Sequence, residues 1–140
     1  MEDKCVFCQI ANHECNAHVV YENPFIVCFL DIDPIHEGHV LIVPKIHCTG
    51  IDELPEEMSA EVMRAFKRIV KALRSVYHFP GYSIMQNGGE FCDFGHIHFH
   101  VFPRYHDDGF GWTYGNNTPD AYTGSVAHKI VIALQMEQYD

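Results

Sequence analysis

From about Pro55 to Tyr77, apolar residues recur every three or four positions, at Met58, Val62, Phe66, Ile69, Leu73 and Val76. Glu57, Glu61, Arg64, Lys67, Lys71 and Arg74 fill the opposite face. That period predicts one long amphipathic helix, with Pro55 near its first turn and Pro80-Gly81 beyond its end. Its apolar stripe reads as core. Short runs rich in branched and aromatic residues flank it. Val19 to Tyr21, Phe25 to Leu30 and His39 to Val43 precede it, and Gly81 to Gln86 and Gly95 to Pro103 follow. All five read as strands, and Val126, Ile130, Ala133 and Leu134 suggest a C-terminal helix. Strands, helix, strands, helix is an order that predicts an α+β fold with a mostly antiparallel sheet, not a doubly wound one.

The chain has 140 residues, a length that fits a single domain spanning 1–140. With 47% apolar and 13% aromatic residues it can build a packed core. No apolar run is long enough to cross a bilayer, and the start Met1-Glu2-Asp3-Lys4-Cys5 lacks the pattern of a signal peptide. The expectation is a soluble, cytoplasmic protein. Nine Lys and Arg against nineteen Asp and Glu give a formal charge of −10. Such a surface repels nucleic acid and anionic membranes, so neither is an expected partner. A phosphate-bearing small molecule needs only local donors and stays possible. Six cysteines, at 5, 8, 15, 28, 48 and 92, read as reduced thiols without an export signal. Only Cys5-Val6-Phe7-Cys8 has metal or redox spacing.

His96, His98 and His100 alternate with Ile97, Phe99 and Val101. On a strand, alternation puts three imidazoles on one face and three apolar groups on the other, with alternate residues about 6.5 to 7 Å apart. One small ligand can then touch two imidazoles. Such a face can bind a metal. It can equally supply a nucleophile, because neutral imidazole attacks phosphorus without a separate base. The three histidines alone do not choose between the two.

The wider context is Cys5-Val6-Phe7-Cys8-Gln9-Ile10, Phe29-Leu30-Asp31-Ile32-Asp33-Pro34, Gly38-His39 through Pro44-Lys45-Ile46-His47, Asn87-Gly88, and His96 through Pro103-Arg104. In these blocks the chain resembles the histidine triad superfamily. The resemblance covers about 5–112, and Asp107-Asp108-Gly109-Phe110-Gly111-Trp112 looks like a microbial branch. It implies paired α+β protomers, a homodimer with one continuous sheet. It also implies a two-step reaction on a purine nucleotide such as a dinucleoside polyphosphate or nucleoside phosphoramidate. His98 would attack the α-phosphorus to form a covalent nucleotidyl-imidazole, which water or another acceptor then resolves. His100 would donate to a phosphate oxygen, with His39 beside the triad.

The same resemblance assigns ribose binding to Asp31, whose local alternative is a turn before Pro34. It places Phe7, Phe29 and Ile32 in an apolar slot for the base, where sequence alone would call each core. Asn87 becomes a phosphate-side donor, or else part of the turn at Gly88. Cys5, Cys8, His47 and His96 become a structural zinc site, which two thiolates and two imidazoles complete as a tetrahedron. Lys45 and Arg104 read as surface or structural residues, and the other four cysteines as core or incidental. The chain departs from the family between Asn87 and His96, where it is two residues short and carries Cys92 and Asp93 in place of glutamine and serine. That serine assists the leaving group, so Asp93 is the candidate for its role. Two rival readings are a nucleotide-sensing module with little turnover and a metalloenzyme using all three histidines as ligands.

Overall fold

The computed structural model describes residues 5–115 and 121–137. It divides into two compact units, Met1–Asp108 and Gly109–Asp140. In the first, the elements are α1 (Val6–Ala11), β1 (Val19–Glu22), β2 (Ile26–Leu30), β3 (Val40–Pro44), α2 (Glu56–Val76), β4 (Gly81–Met85) and β5 (Phe99–Arg104). The five strands form one sheet in the order β1-β2-β3-β5-β4. Every pairing is antiparallel, as the order of elements predicted. In the second unit the expected C-terminal helix is α3 (Gly124–Glu137), whose first turn is capped by Thr123 Oγ1 accepting from Val126 N. Among the described residues no helix is long and apolar enough to cross a membrane.

Both faces of the central strands are covered. Ile26, Cys28, Val40 and Ile42 face a cluster containing Val62, Ala65, Phe66, Ile69, Val70 and Leu73 of α2, together with Ile97, Phe99 and Val101. Val27, Phe29, Leu41 and Val43 meet Phe7, Ile10 and Ala11 of α1. A strand buried on both faces reads as an unbroken apolar run, which is why β2 and β3 do not alternate. Each large aliphatic or aromatic side chain so buried contributes about 1.5–3 kcal/mol. The helix bounds match the expectation within a residue, with Pro55 as N-cap and Tyr77 as C-cap. Val76, expected in the stripe, is instead exposed.

The segment predicted as a strand from Gly95 joins the sheet only at Phe99. The register pairs Ile42 with Phe99, and two residues on in β3 stands Pro44, which has no N–H to give to a ladder. The chain from His96 to His98 therefore bonds elsewhere, Ile97 N donating to Cys48 O at 2.7 Å. At the start of β3, Gly38 has φ +93, and a Cβ there would lie 2.9 Å from the Tyr77 ring. Only glycine makes this turn, which delivers His39 into the interior.

Candidate functional site

His98 is buried, and its Nδ1 lies 2.8 Å from the backbone carbonyl of His96. A carbonyl can only accept, so Nδ1 carries the proton and the lone pair of the neutral ring sits on Nε2. His98 lines a cavity of about 1170 Å³, whose wall also includes Phe7, Phe29, Asp31, His39, Asp93 and His100.

A second chain of bonds fixes the proton on His100. Ile35 N donates to His39 Nδ1 at 3.0 Å, so the proton of His39 is on Nε2. That Nε2 is 2.9 Å from His100 Nδ1 and 3.4 Å from Asp31 Oδ2. Burial holds the pKa of His39 below the ordinary histidine value, with Asp31 opposing and His36 reinforcing the shift. Burial, then His98 and His39, push His100 down to about 4 against the pull of Asp31 and Asp93. Both rings are neutral at pH 7. His39 donates to His100 Nδ1, and His100 is left with its proton on Nε2, a neutral donor at the cavity wall. Asp31 has two roles at once. Its Oδ1 accepts from Asp33 N at 2.8 Å to form the turn before Pro34, while Oδ2 faces the two histidines.

The loop carrying Asp31, Ile35 and His39 is tied to the end of β5. Asp108 accepts from Arg104 Nε at 2.7 Å, Arg104 Nη2 at 3.1 Å and Tyr105 N at 3.0 Å, and its Oδ2 lies 3.1 Å from His36 Nε2. Lys45 pairs with Glu22. Both basic residues thus have structural partners.

His96 faces away from the cavity. Its Nε2 donates to Pro44 O at 2.9 Å, leaving the Nδ1 lone pair 3.4 Å from both Cys5 Sγ and Cys8 Sγ. Cys8 Sγ is 3.3 Å from His47 Nδ1. Four donor atoms from Cys5, Cys8, His47 and His96 lie within 4.8 Å of one another. Zinc bonds of about 2.3 Å to sulfur and 2.0–2.1 Å to nitrogen, at tetrahedral angles, require S···N edges of about 3.5 Å. The observed spacing fits that ion, and the Pro44 carbonyl sets the imidazole tautomer as an outer-shell partner does. Asp31, His39 and His100 also converge within 4.8 Å. There the fit fails, because the His39 nitrogen facing the group carries a proton. The three triad histidines consequently serve two places, and a site with all three as ligands does not form. None of the six cysteines is in a disulfide. Burial pushes Cys28 up to about 12 and raises Cys48 and Cys92, as for inert core thiols.

A profile of the HIT domain matches residues 12–107. The chain belongs to the HIT family. An uncharacterized HIT-like protein of Methanocaldococcus jannaschii is 41% identical over 107 residues, covering 75% of this chain and 82% of that one. An adenosine 5'-monophosphoramidase of Schizosaccharomyces pombe is 32% identical over 115 residues, covering 77% and 82%. The crystal structure of a zinc-bound histidine triad family protein from Mycobacterium smegmatis superposes with TM-score 0.72 at 32% identity, covering 84% and 86%.

Within this HIT fold most of the expected site residues line the cavity or belong to the Cys–His cluster. Phe7 and Phe29 meet edge to face at 5.6 Å in the cavity wall. Ile32 lines the same cavity at its open rim, 96% exposed. Asp93 is exposed on the wall next to His98 and His100. Asn87 stands apart. It lies just past β4, its carbonyl accepting from Gln86 Nε2, and is not part of the cavity lining. Several lining residues lie outside the motifs, Phe94 among them. Phe94 packs 4.9 Å from Phe7 and 6.5 Å from His98, on a backbone with φ +68.

Proposed function

We propose that this HIT protein is a nucleotidyl hydrolase or transferase that cleaves purine nucleotides at the α-phosphorus through a covalent nucleotidyl-His98. The carrying observation is the pair of opposed tautomers, with a lone pair on His98 Nε2 and a proton on His100 Nε2. In the first step the Nε2 lone pair bonds to phosphorus and the bond from phosphorus to the leaving group breaks. His100 Nε2–H donates to a phosphate oxygen as charge builds there. The leaving amine or phosphate takes the bonding pair, and Asp93, on the same cavity wall, assists its departure. In the second step water bonds to phosphorus, the bond from phosphorus to His98 Nε2 breaks and returns its pair to the ring, the water gives up a proton to solvent, and a nucleoside monophosphate leaves. Asp31 Oδ2 accepts from ribose hydroxyls. The adenosine phosphoramidase relative supports a phosphoramidate substrate.

Cys5, Cys8, His47 and His96 would hold zinc, as the zinc-bound relative supports. Zinc held there would supply folding free energy, because its ligands come from α1 and the triad segment. Among the described residues β4 pairs only with β5, so its outer edge is available to a second copy, and the protein works as a cytoplasmic homodimer with a continuous sheet. The test is to incubate the protein with nucleoside phosphoramidate labelled at the α-phosphorus and quench rapidly. Acid-labile label on the protein is expected, and it is absent from His98→Ala. Turnover without label, or substantial turnover by His98→Ala, defeats the mechanism.

A further inference from the structure

We propose that Phe94 is the residue by which this chain distinguishes purine from pyrimidine nucleotides. The inference rests on the nucleotide reading above. It begins from a backbone anomaly. Phe94 sits at φ +68, ψ −2 within the short turn Asp93–Gly95, and Gly95 follows at φ +63. Left-handed backbone costs a bulky L-residue energy, and such strain persists where the surroundings or the function require it. Glycine occupies the second left-handed position of the turn but not the first, where the backbone alone would favour it equally.

The side chain gives the reason for keeping an aromatic there. The ring lines the cavity, yet it is 63% exposed, so its place does not come from core packing. It lies against Phe7 with centroids 4.9 Å apart and planes inclined by 39°, and 6.5 Å from His98. Phe7 in turn touches Phe29 and His98. Phe94 therefore bridges the base wall and the nucleophile. A base stacked between two rings needs about 3.5–4.0 Å on each side, so the rings must stand roughly 7–8 Å apart. At 4.9 Å no base fits between Phe7 and Phe94. Rotation of the exposed ring about its side-chain torsions opens that gap, and the ring then closes over the base from the solvent side. Stacking grows with the π surface covered, so the two-ring purines gain more from this cover than pyrimidines. The turn itself is held, with Gly95 N donating to Cys92 O and Cys92 Sγ to His96 O.

The experiment is calorimetric binding of AMP, GMP, CMP and UMP to the full chain, in wild type, Phe94→Gly and Phe94→Tyr. Glycine relieves the left-handed strain, so that variant folds and isolates the ring. Wild type is expected to prefer purines by about threefold or more, the part of a base–aromatic stack that the second ring adds. Phe94→Gly should lose most of that preference through weaker purine binding, while Phe94→Tyr keeps it. With a phosphoramidate substrate the loss should appear in KM far more than in kcat. Equal purine preference in wild type and Phe94→Gly overturns the inference, as does a wild type that binds all four alike. A wild type that binds none of the four instead brings down the nucleotide reading itself, so the two failures are distinguishable.

Discussion

His96 and His98 lie two residues apart on one extended segment, both buried, and each has one ring nitrogen held by a main-chain carbonyl. The nitrogens held are opposite ones. Pro44 O takes the Nε2 proton of His96 and turns its Nδ1 lone pair toward two thiols. His96 O takes the Nδ1 proton of His98 and leaves Nε2 toward the cavity. Two backbone carbonyls thus give the two imidazoles opposite tautomers, one turning its lone pair to the thiols and the other to the cavity. The difference teaches that alternation along the chain gives neighbours, but the hydrogen bond behind each ring assigns its chemistry.

That division breaks if the two histidines can be exchanged in effect. The largest consequence is expected at His98. Removing the nucleophile in His98→Ala should lower kcat by about 10⁴-fold or more while the metal content stays at wild-type level. Elemental analysis beside a turnover assay checks both halves. Loss of metal together with activity would mean that the two sites are one.

The complementary change is His96→Ala, or Cys5→Ser on the far side of the same cluster. Either should lose zinc and several kcal/mol of stability, because ligation energy in such sites is folding energy. Zinc analysis of protein purified without chelator, followed by thermal melts, measures this. A wild type that contains no zinc and melts with the Cys5→Ser variant removes the structural site.

A smaller effect tests the cavity side alone. If Asp31 Oδ2 accepts from ribose hydroxyls while Oδ1 keeps the turn, Asp31→Ala should weaken ribonucleotides more than their 2'-deoxy counterparts. A charge-assisted hydrogen bond contributes roughly 1.5–3 kcal/mol, so the selectivity should fall about tenfold or more. Equal losses with both sugars would leave Asp31 only its turn. Asp31→Asn, which retains an acceptor for Asp33 N, separates the two roles.

How far these places were legible depended on how local their causes are. The helix over Glu56–Val76 carries its period in its own residues, and the apolar runs of β2 and β3 follow from burial on both faces. The convergence of Cys5, Cys8, His47 and His96 was legible through motif likeness because four donor residues were all present. Helix α1 was not, since six residues hold fewer than two turns and its Phe7, Ile10 and Ala11 give no lasting period. The late start of β5 depends on Pro44 in another strand, and Phe94 depends on a left-handed turn that phenylalanine seldom adopts. The tie from Ile35 N through His39 to His100 joins a loop to a strand, which neither stretch announces by itself.

That tie gives the smallest expected effect and the sharpest contrast between the triad's outer member and an ordinary histidine. Burial pushes His100 down to about 4, whereas an unfolded chain protonates histidine near 6.5. Between those values the unfolded state binds more protons than the folded one, so stability rises with pH across that window. The contribution is fully present above about 6.5. It is lost progressively as pH falls, and no further loss from this group occurs below about 4. The ring is partly open to solvent at the cavity wall, so screening leaves a contribution of ~1–2 kcal/mol. Replacing His100 by Gln keeps a polar side chain and removes the titration. Denaturant melts from pH 4 to pH 7 should then show a shallower rise in stability for His100→Gln than for wild type. Acid loss of a zinc held by Cys5, Cys8, His47 and His96 would tilt both curves, and it would cancel in the difference between them. Parallel curves would mean that His100 does not titrate out of register with the unfolded chain, and the neutral donor assigned to its Nε2 would lose its basis.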